Sequence, residues 1–190
     1  MVKRRDLPPL AWGDTLCAAR LLCQRICTRT TLITAGSACL AATIPVSPAP
    51  RFVWNASASA PLGLYRVRPG AAATVGDTVV AWLPPSARAL AAGRRYLPSN
   101  VPLIKRVAAG PGDTVCASGS ILIVNGQQLA RRRDSDSLGR AMPWWHGCRQ
   151  LRTDELFLLM SSRPDSFDGR YFGPSSAKDV IGRATLLWAR

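Results

Sequence analysis

Lysine is scarce in this chain of 190 residues: Lys3, Lys105 and Lys178 stand among 25 basic residues. Histidine is scarcer, with His146 alone, and only 11 residues are acidic. Cys17, Cys23 and Cys27 follow no common zinc-finger spacing and lie far along the chain from His146, so neither a metal nor a cofactor is expected. No serine sits in a Gly-x-Ser-x-Gly elbow, which leaves His146 as a surface or loop residue and not the base of a histidine-dependent hydrolase. The shortage of acids leaves a net charge of +14, a field that draws anionic partners such as nucleic acid or lipid headgroups without choosing between them. Arg88, Arg94, Arg95 and Arg131, Arg132 and Arg133 are not interleaved with aromatics as single-strand binders require. They read as a solvated basic face, and no nucleic-acid partner is expected.

Charge itself is absent from Thr30 to Pro50. Before that gap lie Lys3, Arg4, Arg5, Arg20, Arg25 and Arg29 against Asp6 and Asp14, and within it Leu32, Ile33, Leu40, Ile44 and Val46 are diluted by threonines and prolines. A membrane span needs roughly 20 apolar residues, and a basic flank stays on the cytoplasmic side. The expectation is a basic cytoplasmic segment over 1–29, a transmembrane signal-anchor over 30–50 and an exported domain over 51–190, at the bacterial inner membrane with lipid as a partner. A cleaved export signal or a buried helix are the alternatives. Leu16, Ala19, Leu21, Leu22 and Ile26 suggest a helix lying on the inner membrane surface. Cys17, Cys23, Cys27 and Cys39 precede or fall within the expected span, while Cys116 and Cys148 alone lie beyond it. Two cysteines in an oxidising compartment predict a Cys116–Cys148 disulfide; two buried thiols are the alternative.

From Arg51 the chain reads as mostly β, in short strands punctuated by Gly and Pro. Period-2 patterning predicts strands over 63–68, 78–83, 103–108, 114–117, 121–124, 155–160 and 184–188. Asn125-Gly126 between apolar runs predicts a tight hairpin turn, because those two residues tolerate the positive φ angles it needs. Gly-Asp-Thr-Val occurs at 76–79 and again at 112–115, each time leading into a strand. Trp144 and Trp145 read either as a surface loop touching lipid or as aromatics packing the edge of the core.

On a strand, Lys105 shares a face with Leu103 and Val107 while Arg106 points with Ile104. A lysine on an apolar face loses hydration of its ammonium, and the neutral amine becomes available near pH 7 as a general base; arginine cannot do this. A stem packed on the core with its head reaching water is the plainer alternative. Upstream, Ser57-Ala58-Ser59-Ala60-Pro61 is a small-residue turn that leaves room for a substrate backbone, and equally fits a linker.

Three blocks taken together change the balance. Asn55-Ala56-Ser57-Ala58-Ser59-Ala60-Pro61-Leu62-Gly63-Leu64-Tyr65, Lys105-Arg106-Val107 with Gly110-Pro111-Gly112-Asp113, and Ser166-Phe167-Asp168-Gly169-Arg170 occur in that order. They resemble the type I signal peptidases, and more closely the conjugative-transfer signal peptidases of the TraF type. The resemblance implies a signal-peptidase-like β fold with Ser59 as nucleophile and Lys105 as its base. It further implies Ser57 as an oxyanion-hole hydroxyl, Ser166 holding the lysine amine, and Asp168 and Arg170 bracing the floor. Ser57 stands where that family has threonine, and Gly169 where it has serine. The implied activity is removal of a leader from a membrane-tethered protein substrate, a pilin precursor of a conjugative or type IV secretion apparatus, with cyclisation of the product a property of the family. The rival from another class is a noncatalytic envelope subunit that binds lipid, DNA or a partner through its basic surface.

Overall fold

The structure, a computed structural model, describes residues 11–43 and 49–190, the side chains of 11–22 and 43 lying outside that description. The chain divides into two units, the second being Ala49–Arg190. In the first, α1 runs over Ala11–Thr43. Thr28, Thr30, Thr31 and Thr34 turn their hydroxyls back onto carbonyls three and four residues earlier, which satisfies these side chains inside a helix they would otherwise disfavour.

Of the expected span over 30–50, residues 30–43 lie in α1, and residues 44–48 lie outside the described residues. Among the described residues no helix is long and apolar enough to cross a membrane. Of the proposed amphipathic face, Ile26 is exposed, and the side chains of Leu16, Ala19, Leu21 and Leu22 lie outside the described residues. So does that of Cys17; Cys23, Cys27 and Cys39 are free and exposed.

The second unit is mostly β, as its alternation requires. Eleven strands are present among the described residues: β1 Phe52–Asn55, β2 Gly63–Pro69, β3 Thr78–Ala81, β4 Leu103–Ala109, β5 Thr114–Ser118, β6 Ile121–Val124, β7 Gln127–Arg131, β8 Gly147–Gln150, β9 Glu155–Leu159, β10 Ser175–Ser176 and β11 Val180–Ala189. Seven form one antiparallel sheet in the order β1-β2-β11-β3-β4-β9-β10, and four form another in the order β7-β6-β5-β8. Asn125 and Gly126 both have positive φ, 50° and 81°, and join β6 to β7 in the tight turn expected of them. The two Gly-Asp-Thr-Val copies build the same kind of turn. Asp77 accepts from the backbone and hydroxyl of Thr74, and Asp113 accepts from the Gly110 N–H.

Three apolar clusters hold the unit together. Val79, Ala81, Leu103, Val107 and Leu158 pack on one face of the large sheet with Ala87 and Ala91 of α2, Pro85–Gly93. Tyr65, Val67, Val80, Ile104 and Ala184 fill the other face. Val115, Ala117, Leu122, Phe157 and Leu159 join the small sheet to the end of the large one. β4 thus packs apolar residues on both faces, and Lys105 is a charged side chain buried within it. Cys116 and Cys148 face each other on β5 and β8 and form the disulfide.

Trp145 belongs to the packing reading. It lies against the third cluster, edge-on to Phe157, and its Nε1 donates to the Gly169 carbonyl at 3.0 Å. The basic run is likewise not one solvated face. Arg132 is buried, donating to the carbonyls of Gly119 and Trp145, while Arg133 pairs with Asp165.

Candidate active site

Ser57 and Ser59 lie on the loop from β1 to β2, and the ends of that loop are fixed by local chemistry. Asn55 closes β1 with its side chain buried, Tyr65 on β2 donates its hydroxyl to the Pro61 carbonyl at 2.9 Å, and Ala60 inserts into the apolar cluster beneath. At Gly63 a side chain would collide with the Trp188 carbonyl of β11, its Cβ only 2.0 Å away, so glycine lets β2 and β11 close up behind the loop. Ser57 is exposed and Ser59 half-buried, and their hydroxyl oxygens are 2.9 Å apart.

Lys105 comes from the middle of β4, opposite Val79 of β3 and between strands on both sides. It is 2% exposed, and its Nζ donates to Ser166 Oγ at 2.7 Å. Burial pushes its pKa down from the ordinary 10.5 to about 8; the negative charge of Asp168 opposes this and the positive charge of Arg170 adds to it. About a tenth of the amine is thus neutral at pH 7 and about half at pH 8.

The floor beneath is ionic and fully partnered. Asp168 and Arg170 are 0% and 1% exposed and pair through two bonds, Nε to Oδ1 at 2.9 Å and Nη2 to Oδ2 at 3.0 Å. Arg170 also donates to the carbonyls of Met160, Arg163 and Pro164, and Asp168 accepts from the Met160 N–H. A buried pair is tolerable when its remaining donors and acceptors are satisfied in this way. Asp168 caps the short helix α3, Gly169–Phe172. A Cβ on Gly169 would lie 2.8 Å from the Leu158 carbonyl oxygen, so glycine allows α3 to sit directly on β9.

Ser57, Ser59 and Lys105 all line one cleft of about 780 Å³, walled by Val53, Leu83, Leu97, Val101 and Ile104 and ending at Arg133, Asp136 and Asp165. An apolar trough with a few convergent polar groups suits an extended peptide with small side chains. The structure brings Ser57 to Ser59, Lys105 to Ser166 and Asp168 to Arg170. It does not join the two halves: among the described residues no hydrogen bond links Ser59 to Lys105. His146 is exposed, beside Trp144, and does not line the cleft. The Asn55 network went unread in the sequence, although an asparagine two residues before a serine, at a strand end, is the pattern of a side chain that bonds the backbone ahead of it. Asp136 escaped notice too. It reaches the cleft because Tyr96 and Arg140 hold it.

A family model for signal peptidase, peptidase S26, matches residues 24–189. The chain is 37% identical over 146 residues to a probable conjugal transfer protein TraF of Sinorhizobium fredii, covering 68% of this chain and 73% of that protein. It is 35% identical over 91 residues to plasmid transfer protein TraF of Escherichia coli, 45% of this chain and 51% of the relative. Signal peptidase I of Leptolyngbya laminosa is 29% identical over 87 residues, 46% of this chain and 41% of the relative. The match thus spans about half, or less, of those last two proteins. A crystal structure of signal peptidase I from Enterococcus faecalis aligns with 60% of this chain and 97% of its own, at 22% identity and a TM-score of 0.36. The chain belongs to the signal peptidase family, peptidase S26, whose signal peptidases are serine peptidases. Within that family it is of the TraF type.

Proposed function

We propose that this protein is a Ser-Lys endopeptidase that removes the leader of an exported protein in a conjugative apparatus, its substrate being a pilin-type subunit. The observation that carries the reading is a buried lysine, with its pKa drawn down to about 8, opening onto the same cleft as Ser59. In the proposed reaction the neutral Lys105 amine takes the Ser59 proton as Oγ adds to the scissile carbonyl. The carbonyl oxygen becomes an oxyanion that the Ser57 hydroxyl and the Ser59 N–H stabilise. Collapse breaks the peptide C–N bond, Lys105 returns the proton to the departing amine, and an ester on Ser59 remains. Water then gives a proton to Lys105 and attacks the ester; Ser59 leaves and is reprotonated. Where the cut instead frees a C-terminal peptide as the departing amine, the mature chain is the acyl group on Ser59, and attack by its own N-terminal amine in place of water gives a ring lighter than the linear product by one water.

Ser166 supports this reading by holding the amine, and the Asp168–Arg170 pair by holding Ser166's loop through the carbonyls of Arg163 and Pro164. The disulfide favours the exported side of the bacterial inner membrane as the place of work. The test incubates the full chain with a candidate propilin and compares wild type with Ser59→Ala, Lys105→Ala and His146→Ala. Cleavage should fall by at least about 10³-fold in the first two and stay within about twofold in the third. Mass spectrometry of the product separates linear from cyclic forms. Unchanged cleavage in the first two variants would favour the noncatalytic envelope subunit instead.

A further inference from the structure

Asn55, the last residue of β1, is 7% exposed, and both polar atoms of its side chain are fully engaged. Its Nδ2 lies 3.0 Å from each of the carbonyl oxygens of Ser57, Ala60 and Pro61, one of its two N–H groups being shared between two of them, and so grips the turn carrying Ser59 at both ends. Its Oδ1 accepts from the Ser57 N–H and from the Ser57 hydroxyl, both at 3.1 Å. Reversing the amide would set its oxygen against three carbonyl oxygens, so the partners dictate its orientation.

That orientation has a consequence for two protons. An amide oxygen cannot donate, so the single Ser57 hydroxyl proton lies towards Asn55, and in the 2.9 Å contact with Ser59 it is Ser57 Oγ that accepts. The donors therefore run in one direction, from Ser59 to Ser57 to Asn55. At rest, the Ser59 O–H points to Ser57 and the Ser57 O–H to Asn55, while Lys105 is occupied with Ser166.

Building on the peptidase reading above, we infer that Asn55 is a positioning residue that holds the nucleophile loop and parks both of its hydroxyls until substrate arrives. A substrate carbonyl in the oxyanion position competes with Asn55 for the Ser57 hydroxyl. Once Ser57 turns to the substrate, the Ser59 hydroxyl is free to turn to Lys105. The Nδ2 bonds go to backbone and persist while the hydroxyls rotate, so the loop keeps its shape through the exchange. Only hydrogen bonds are swapped in this step, and no covalent bond changes.

The test uses p-nitrophenyl acetate as an acylating probe of the full chain, with the acetylated residue located by mass spectrometry and thermal unfolding followed by circular dichroism. In wild type the label should fall on Ser59. Asn55→Ala and Ser57→Ala should each slow that acetylation by about 30- to 100-fold, and the double variant should be within about threefold of the slower single, because one residue acts through the other. Ser57→Thr, which keeps the hydroxyl, should recover to within about fivefold of wild type and remain sensitive to Asn55→Ala. A residue that merely supports the fold would give losses that multiply. Multiplied losses, or acetylation in Asn55→Ala within about twofold of wild type, overturn the inference. If Asn55→Ala does not fold, Asn55→Asp takes its place. Its carboxylate holds the Ser57 proton harder than an amide, so it should cost about tenfold in wild type and less than about twofold in Ser57→Ala; equal losses in both backgrounds overturn the inference. Label on Ser59 that depends on Lys105 but not on Asn55 removes this inference alone, whereas no label on Ser59 in wild type removes the peptidase reading and this inference with it.

Discussion

Lys105, Ser166, Asp168 and Arg170 are each 2% exposed or less, whereas Ser57 across the cleft is exposed and Ser59 half-buried. The lysine side hangs from the middle of β4 and from an ion pair with every strong partner supplied; the serine side hangs from a short loop gripped by one asparagine. The contrast fits the role proposed for each group. A base with a depressed pKa has to be kept from water, so its surroundings are dense and rigid. A nucleophile has to meet a substrate backbone and turn its hydroxyl, so it stays at the surface on a segment that leaves it room.

The harshest way to break this comparison is Asp168→Ala. It leaves the Arg170 guanidinium buried without its counter-ion, and should lower stability by roughly 3 to 5 kcal/mol in urea unfolding. Ser59→Ala, on the opposite wall, should move stability by less than about 0.5 kcal/mol. Similar values for the two would mean that the floor is no more rigid than the loop.

Next in size is the disulfide, which tests whether the small sheet stands apart from the chemistry. Cys116 and Cys148 close a loop of 32 residues between β5 and β8, and neither strand lines the cleft. Replacing both by alanine should cost about 3 to 4 kcal/mol in thermal or urea unfolding while propilin cleavage at 25 °C stays within about twofold. A large fall in kcat with the fold intact would tie the two sheets together functionally.

The smallest and most pointed change is Lys105→Met. Because the folded-state pKa of Lys105 is depressed, the folded protein below pH 8 carries a buried charge that the unfolded chain would hold in water, and this cost disappears as the pH rises from about 8 towards 10.5. Methionine removes it, so the variant should be more stable than wild type by roughly 1 to 3 kcal/mol at pH 7, with the gain fading above pH 8, and inactive throughout. Wild-type kcat/KM should rise with pH through an apparent pKa near 8. A stability gain that grows with pH would show that Lys105 is not held in an apolar setting.

Much of the β architecture was legible because strands declare themselves locally. The predicted runs at 63–68, 103–108 and 121–124 fall on β2, β4 and β6, and the Asn125-Gly126 turn joins β6 to β7. β1 and β8 were not predicted, since their side chains are mostly exposed and alternate weakly. α2 was missed because its buried face consists of two alanines, Ala87 and Ala91, a signal too faint beside flanking prolines.

By itself the sequence determined which face of its strand Lys105 would share, where the tight turn would fall and which residue types could carry the chemistry, because each depends on neighbours a few bonds away. Tertiary structure alone decided that Arg132 is buried and that Asn55, Ser57 and Ser59 stand in a row within hydrogen-bonding distance of one another. Dryness and hydrogen-bond direction are set by what surrounds an atom in space, and the chain order does not contain that until the sheets have closed.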